Sequence, residues 1–140
     1  MIELIPARPE MAFTMTPQRG QLATGQILTR DALVDAIRAG YALACVDGAR
    51  ILSIGGIAEQ WPDRGVLWGL VAEGIGATMT PIHRVVRRAL ETTTLKRVEA
   101  HIALEHPEAV RWIEMLGFTR EGVMRSFWQG HDYALYSRVR

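Results

Sequence analysis

Arg97-Val98-Glu99-Ala100-His101-Ile102-Ala103-Leu104 is followed at once by His106-Pro107-Glu108-Ala109-Val110-Arg111-Trp112-Ile113-Glu114-Met115-Leu116-Gly117-Phe118, and between the two runs the spacing of apolar residues changes. In the first, Val98, Ala100, Ile102 and Leu104 alternate with Arg97, Glu99, His101 and Ala103, the period of a strand with one apolar face. In the second, Ala109, Val110, Ile113 and Leu116 recur at helical spacing. Pro107 suits the first helical turn and Gly117 the C-terminal cap. The pattern predicts a strand near the centre of a sheet and a helix that covers it.

The same reading extends in both directions. Phe118 to Arg140 reads as a hairpin turning at Gln129-Gly130. Upstream, Thr80-Pro81 has the N-cap and N1 chemistry of a helix over 81–91, with Ile82, Val85, Val86, Ala89 and Leu90 as its buried stripe opposite Arg84, Arg87 and Arg88. Three apolar runs precede it, Tyr41 to Val46, Ile51 to Ala58 and Val66 to Glu73, divided by the turn clusters Asp47-Gly48 and Trp61-Pro62-Asp63-Arg64-Gly65. They predict an antiparallel meander. Thr29 is the expected N-cap of an amphipathic helix through Ala32, Leu33, Ala36 and Ile37, with Gly40 as its C-cap. Glu10 to Gln26 shows no sustained period, as expected of a broken helix or a loop lying over a site. Ile2 to Ala7 is a short strand ended by Pro6 and Pro9. The sum is one α+β domain of 140 residues, a central, mostly antiparallel mixed sheet flanked by helices.

Composition narrows the function. Sixteen Lys and Arg against fifteen Asp and Glu give a net charge of +1, too even a balance to favour counterion-release binding to nucleic acid. No apolar run reaches the roughly 18 to 20 residues of a membrane span, and the N-terminus lacks the order of a signal peptide. The single cysteine, Cys45, fits a reducing compartment, and a cytoplasmic protein is expected. His83, His101, His106 and His131 have no metal-ligand spacing, so no metal site is expected. There is no nucleophile elbow, Walker loop or dinucleotide fingerprint.

The element order, together with Lys96-Arg97-Val98-Glu99-Ala100 and the run from His106 through Leu116-Gly117-Phe118 to Glu121-Gly122 and Arg125, resembles the GCN5-related N-acetyltransferase (GNAT) family, in particular its ribosomal-protein-acetylating branch. Asp132 and Tyr136 stand where that branch has an Asp and a late Tyr in its final hairpin. Some small phage-encoded proteins of this fold look similar. The resemblance implies an acyl-CoA N-acyltransferase fold in which the fourth strand diverges from the fifth. It further implies direct acetyl transfer from acetyl-CoA to an amine of a small molecule or a protein. The alternative is a non-catalytic binding or assembly protein of the same fold, such as a phage structural component; a homo-oligomer or virion assembly is a further partner expectation. Trp61 and Trp128 are then candidate partner anchors.

In the family the pantetheine arm lies against strand backbone, here Leu70 and Val71, and the pyrophosphate sits at the N-terminus of the following helix. The expected cofactor residues are therefore Leu70, Val71, Thr78, Met79, Thr80, Ile82, His83 and Arg84, with His106 in the place of the family's Asn. This chain departs from the family's phosphate loop, carrying Ala77-Thr78-Met79-Thr80-Pro81-Ile82-His83 with Gly74 and Gly76 placed earlier. Either the loop binds CoA by a variant geometry, helped by the Thr78 and Thr80 hydroxyls and the His83 and Arg84 side chains, or it does not bind CoA. Ile113 occupies the usual place of a tyrosine acid, so Tyr133 or Tyr136 would substitute if it points into the slot. For the base, Glu73 and Glu59 end their strands near the expected thioester, and His101 has a side chain suited to proton transfer near neutrality. The catalytic set expected from the resemblance is Glu73, Glu59 and Tyr136.

Overall fold

A computed structural model describes residues 1–16 and 30–140; the expected N-cap at Thr29 and the aperiodic stretch from residue 17 lie outside the described residues. In chain order the elements are β1 (Ile2–Pro6), α1 (Pro9–Thr14), α2 (Arg30–Arg38), β2 (Gly40–Asp47), β3 (Arg50–Trp61) and β4 (Arg64–Val71). A 3-10 turn (Gly76–Thr78) then leads into α3 (Met79–Thr92), β5 (Arg97–Ala103), α4 (Pro107–Met115), β6 (Thr119–Trp128) and β7 (His131–Val139). The strands form one sheet in the order β1-β2-β3-β4-β5-β7-β6. Every neighbouring pair is antiparallel except β4 and β5. This is the α+β architecture expected, with β5 inside the sheet.

The apolar period of each strand decides which helix covers it. Val98 and Ala100 of β5 and Ala134 and Tyr136 of β7 share a buried cluster with Leu90 of α3 and Ile113 and Leu116 of α4. Cys45, Leu52 and Val71 on the same face pack with Ile82, Met79 and Trp112. On the opposite face Ala44, Val46, Ile54 and Leu70 meet Met11 of α1 and Ile37 of α2. Helix α4 stops where the sequence predicts: Gly117 has φ 88°, its amide donates to Glu114 C=O, and the Phe118 amide donates to Ile113 C=O. That bond pair closes the helix with a left-handed residue that a side chain would strain.

Four local expectations are corrected. Helix α3 begins at Met79, so Thr80 is its second residue, not the N-cap, and Pro81 its third; a proline is harmless there because the first four amides have no intrahelical acceptor. Gly40 does not cap α2. It opens β2, where an added Cβ would lie 2.1 Å from Ile57 O, so the glycine serves the close approach of two strands. Strand β4 ends at Val71, and Glu73 lies in the turn completed by Gly74 at φ 69°. Trp61 is 59% exposed as a surface anchor would be, whereas Trp128 is half-buried.

Candidate active site

Strands β4 and β5 pair only at Arg64↔Arg97, Gly65↔Val98 and Val66↔Glu99, and beyond Val66 they separate. Parallel strands that stop pairing while still inside a sheet open a gap between their edges. A cavity of about 210 Å³ occupies the gap. Its floor is backbone: Gly55 of β3 stands opposite Gly69 of β4, and neither has a side chain to fill the space. Ile82, Val86 and Ala89 of α3 and Trp112 and Ile113 of α4 wall one side, and His101, Ala103 and Tyr133 lie at the other.

Helix α3 points its N-terminus at this end of β4. The 3-10 turn before it is closed by the Thr78 amide, which donates to Ile75 C=O at 2.8 Å, and by the Thr78 hydroxyl, which donates to the same carbonyl at 2.6 Å. Thr78 therefore offers an outside anion no hydroxyl proton. His83, one turn along, is set differently: Trp112 Nε1 donates to His83 Nδ1 at 3.0 Å, which leaves the neutral ring with its proton on Nε2. Arg84 and Arg88 extend from the exposed side of the helix, where Arg87 is already paired with Glu91 at 2.9 Å. With the helix dipole, Arg84 and Arg88 make the exposed side of α3 cationic outside the cleft lining.

His101 stands on β5 just beyond the last β4 pair, on the face opposite α3, and its ring meets Phe127 edge-on at 5.3 Å between centroids. Desolvation lowers its pKa from the ordinary value; the Glu99 charge opposes this and the Arg64 charge adds to it. The side chain keeps contact with solvent, so a neutral imidazole is presented to the cleft at neutral pH. His106 also lines the cleft. It occupies the N-cap position of α4 without making a side-chain cap, and burial lowers its pKa against the pull of Glu108. Cys45, at the cleft wall, has its thiol pKa raised by burial.

Of the expected cofactor residues, Leu70, Val71, Ile82 and His106 line the cleft, whereas Thr78, in the 3-10 turn, and Met79, Thr80, His83 and Arg84, at the start of α3, lie outside its lining. The expected catalytic trio is not brought together. Glu73 is exposed in its turn, where its carbonyl accepts from Arg50. Glu59 pairs with Gly65 at the closed end of the β4–β5 gap. Tyr136 is wholly buried beneath α4, its hydroxyl accepting from Arg120 at 2.9 Å and donating to Glu114 at 3.0 Å. Tyr133, three residues away and so on the other face, is the one of these two tyrosines that lines the cleft. Among the described residues no group of His, Cys, Asp and Glu could hold a metal ion, and no helix is long and apolar enough to cross a membrane.

No protein-family model matches the sequence, and no curated protein matches it. Solved structures do. A protein described as a phosphinothricin N-acetyltransferase superposes with a TM-score of 0.74 at 11% identity, covering 99% of this chain and 98% of that one. The dodecameric spermidine N-acetyltransferase of Vibrio cholerae gives 0.67 at 15%, covering 99% and 93%. The ribosomal-protein-S5-alanine acetyltransferase of Vibrio fischeri gives 0.66 at 14%, covering 99% and 92%. Identities this low speak to architecture alone, and the architecture they share with this chain, a seven-stranded mixed sheet parted between its fourth and fifth strands and flanked by helices, is the GNAT acyltransferase fold.

Proposed function

We propose that this chain is an N-acetyltransferase that takes its acetyl group from acetyl-CoA and passes it directly to an amine. One observation carries the reading: β4 and β5 part after three paired positions, opening a backbone-floored cleft that leads to the N-terminus of α3. The residues present fit the cofactor. Strand backbone at Leu70 and Val71 would hold the amide-bearing arm, and the start of α3 with His83 Nε2–H, Arg84 and Arg88 would hold the phosphates, in place of a glycine-rich loop. Bound acetyl-CoA supplies an activated thioester.

His101 is the group we assign to take the proton from the attacking amine, instead of Glu73 or Glu59. It lines the cleft, and its lowered pKa keeps it able to accept a proton at neutral pH. Tyr133, in place of Tyr136, is a tyrosine of the last strand that lines the cleft. Ile113 lines the cleft as well and confines the acyl group without proton chemistry.

Titration calorimetry with CoA, together with acetyl transfer to a panel of amines, tests the reading. CoA binding and a loss of roughly 100-fold in turnover for His101→Gln, with Glu73→Gln unaffected, are expected. Absence of CoA binding would sink the reading and favour a binding module of this fold.

A further inference from the structure

The bulged edge of the sheet bears on which amine the cleft accepts. Strands β6 and β7 shift register once between Arg120 and Gly122, pair from Gly122↔Leu135 to Met124↔Tyr133, lose register again, and resume at Trp128↔His131. Inside the interruption Ser126 adopts φ 51°, and its amide donates to Asp132 Oδ1 at 2.7 Å. A bulge re-aims side chains from the faces they would otherwise take. Here it presents Phe127 to both His101, at 5.3 Å, and Tyr133, at 5.1 Å, two of the rings that line the cleft. Phe127 remains 44% exposed.

Charge points the same way. No Asp, Glu, Lys or Arg lines the cleft among the described residues, and residues 17–29 contain no Asp or Glu in sequence. Glu99, the carboxylate two residues from His101, is held by Arg64 and Arg97, and Glu105 pairs with His131 at 2.8 Å. A polycationic acceptor entering this cleft would bury ammonium groups without counter-charges, which is costly. An aromatic body would instead pack against the His101 and Tyr133 rings, which Phe127 supports from behind.

We propose that the acceptor is a monoamine carried on an apolar, aromatic body, seated against His101 and Tyr133, and that Phe127, which backs both rings, sets this preference by holding them in place. The inference rests on the acetyltransferase reading for its chemistry, and its binding arm stands apart from it. The experiment titrates 2-phenylethylamine and spermidine into the full chain, with and without CoA, and compares kcat/KM for the two amines. Phenylethylamine is expected to bind and to be used at least about tenfold better than spermidine. Phe127→Ala should lower its affinity and kcat/KM about tenfold with CoA affinity unchanged, and Phe127→Leu should restore part of the loss. Equal or better use of spermidine, or an unaltered Phe127→Ala protein, overturns the inference. If CoA fails to bind, the acetyltransferase reading falls while phenylethylamine titration still decides the pocket's preference.

Discussion

Trp112 of α4 and His83 of α3 are joined by a 3.0 Å bond from the indole N–H to Nδ1, a direct polar tie between the two helices that wall one side of the cleft. Trp112 also packs into two of the apolar clusters, so its ring is held independently of the bond. Trp112→Phe therefore removes the donor and retains most of the packing. Urea unfolding should show a loss of about 1 kcal/mol, with a weaker CoA complex because His83 no longer has one fixed tautomer. An unchanged CoA affinity would detach His83 from the phosphate end.

Glu99 is 4% exposed, bound by Arg64 through Nη2 at 2.9 Å and by Arg97 through Nε at 3.0 Å. The Arg64 bond lowers its pKa most, with burial opposing and Arg97 assisting. Glu121, bonded to Arg97 and Ser137, is lowered to about 2. A carboxylate with a depressed folded pKa stabilises the fold above its unfolded pKa of about 4.3, and that contribution disappears as pH falls through the folded value. Stability should thus decline from about pH 5 toward pH 2. Glu99→Gln should flatten that slope and cost roughly 3 kcal/mol at neutral pH, since two guanidinium groups lose their shared partner. Melting curves across pH for both proteins check this.

Gly117→Ala places a side chain at φ 88°, in the bond pair that ends α4. A loss of about 1 to 2 kcal/mol is expected by chemical denaturation. A Gly122→Ala control, at a site where an added Cβ meets nothing within 4 Å, should stay close to the unmodified protein.

On the outer face of α3, Arg87 is engaged with Glu91 while Arg84 and Arg88 extend into solvent. Arg84→Glu should weaken CoA binding several-fold and reduce its dependence on salt; Arg87→Glu should do less. Calorimetry at two ionic strengths separates them, and equal effects would return all three to a solvated surface.

The central part of this fold was legible because β5 and α4 carry clean periods of two and of about four, and the Leu116-Gly117-Phe118 ending states where the helix stops. The candidate site was less so. Tyr133 and Tyr136 had to lie on opposite faces of β7, yet nothing local says which face meets the cleft, since that depends on where α3 and α4 settle. Glu73 belongs to an apolar run that β4 leaves two residues earlier, at Val71. The parting of β4 from β5 is a property of two backbones distant in sequence. Likewise, the pattern of β6 does not announce the bulge that brings Phe127 to His101; only Asp132, set to receive the Ser126 amide, hints at it.

The glycine pair on the cleft floor is unequal. A methyl group at Gly55 would stand 2.7 Å from Trp68 O, inside main chain that cannot yield, whereas one at Gly69 would rest 3.5 Å from Ile54 O in ordinary contact. Gly55 is therefore fixed by the sheet, while at Gly69 the sheet leaves room for a methyl group. The molecule thus carries an adjustable gauge: a single methyl at residue 69 makes the chamber shallower and leaves the sheet intact, so the size of what the chamber admits can change without a change of fold.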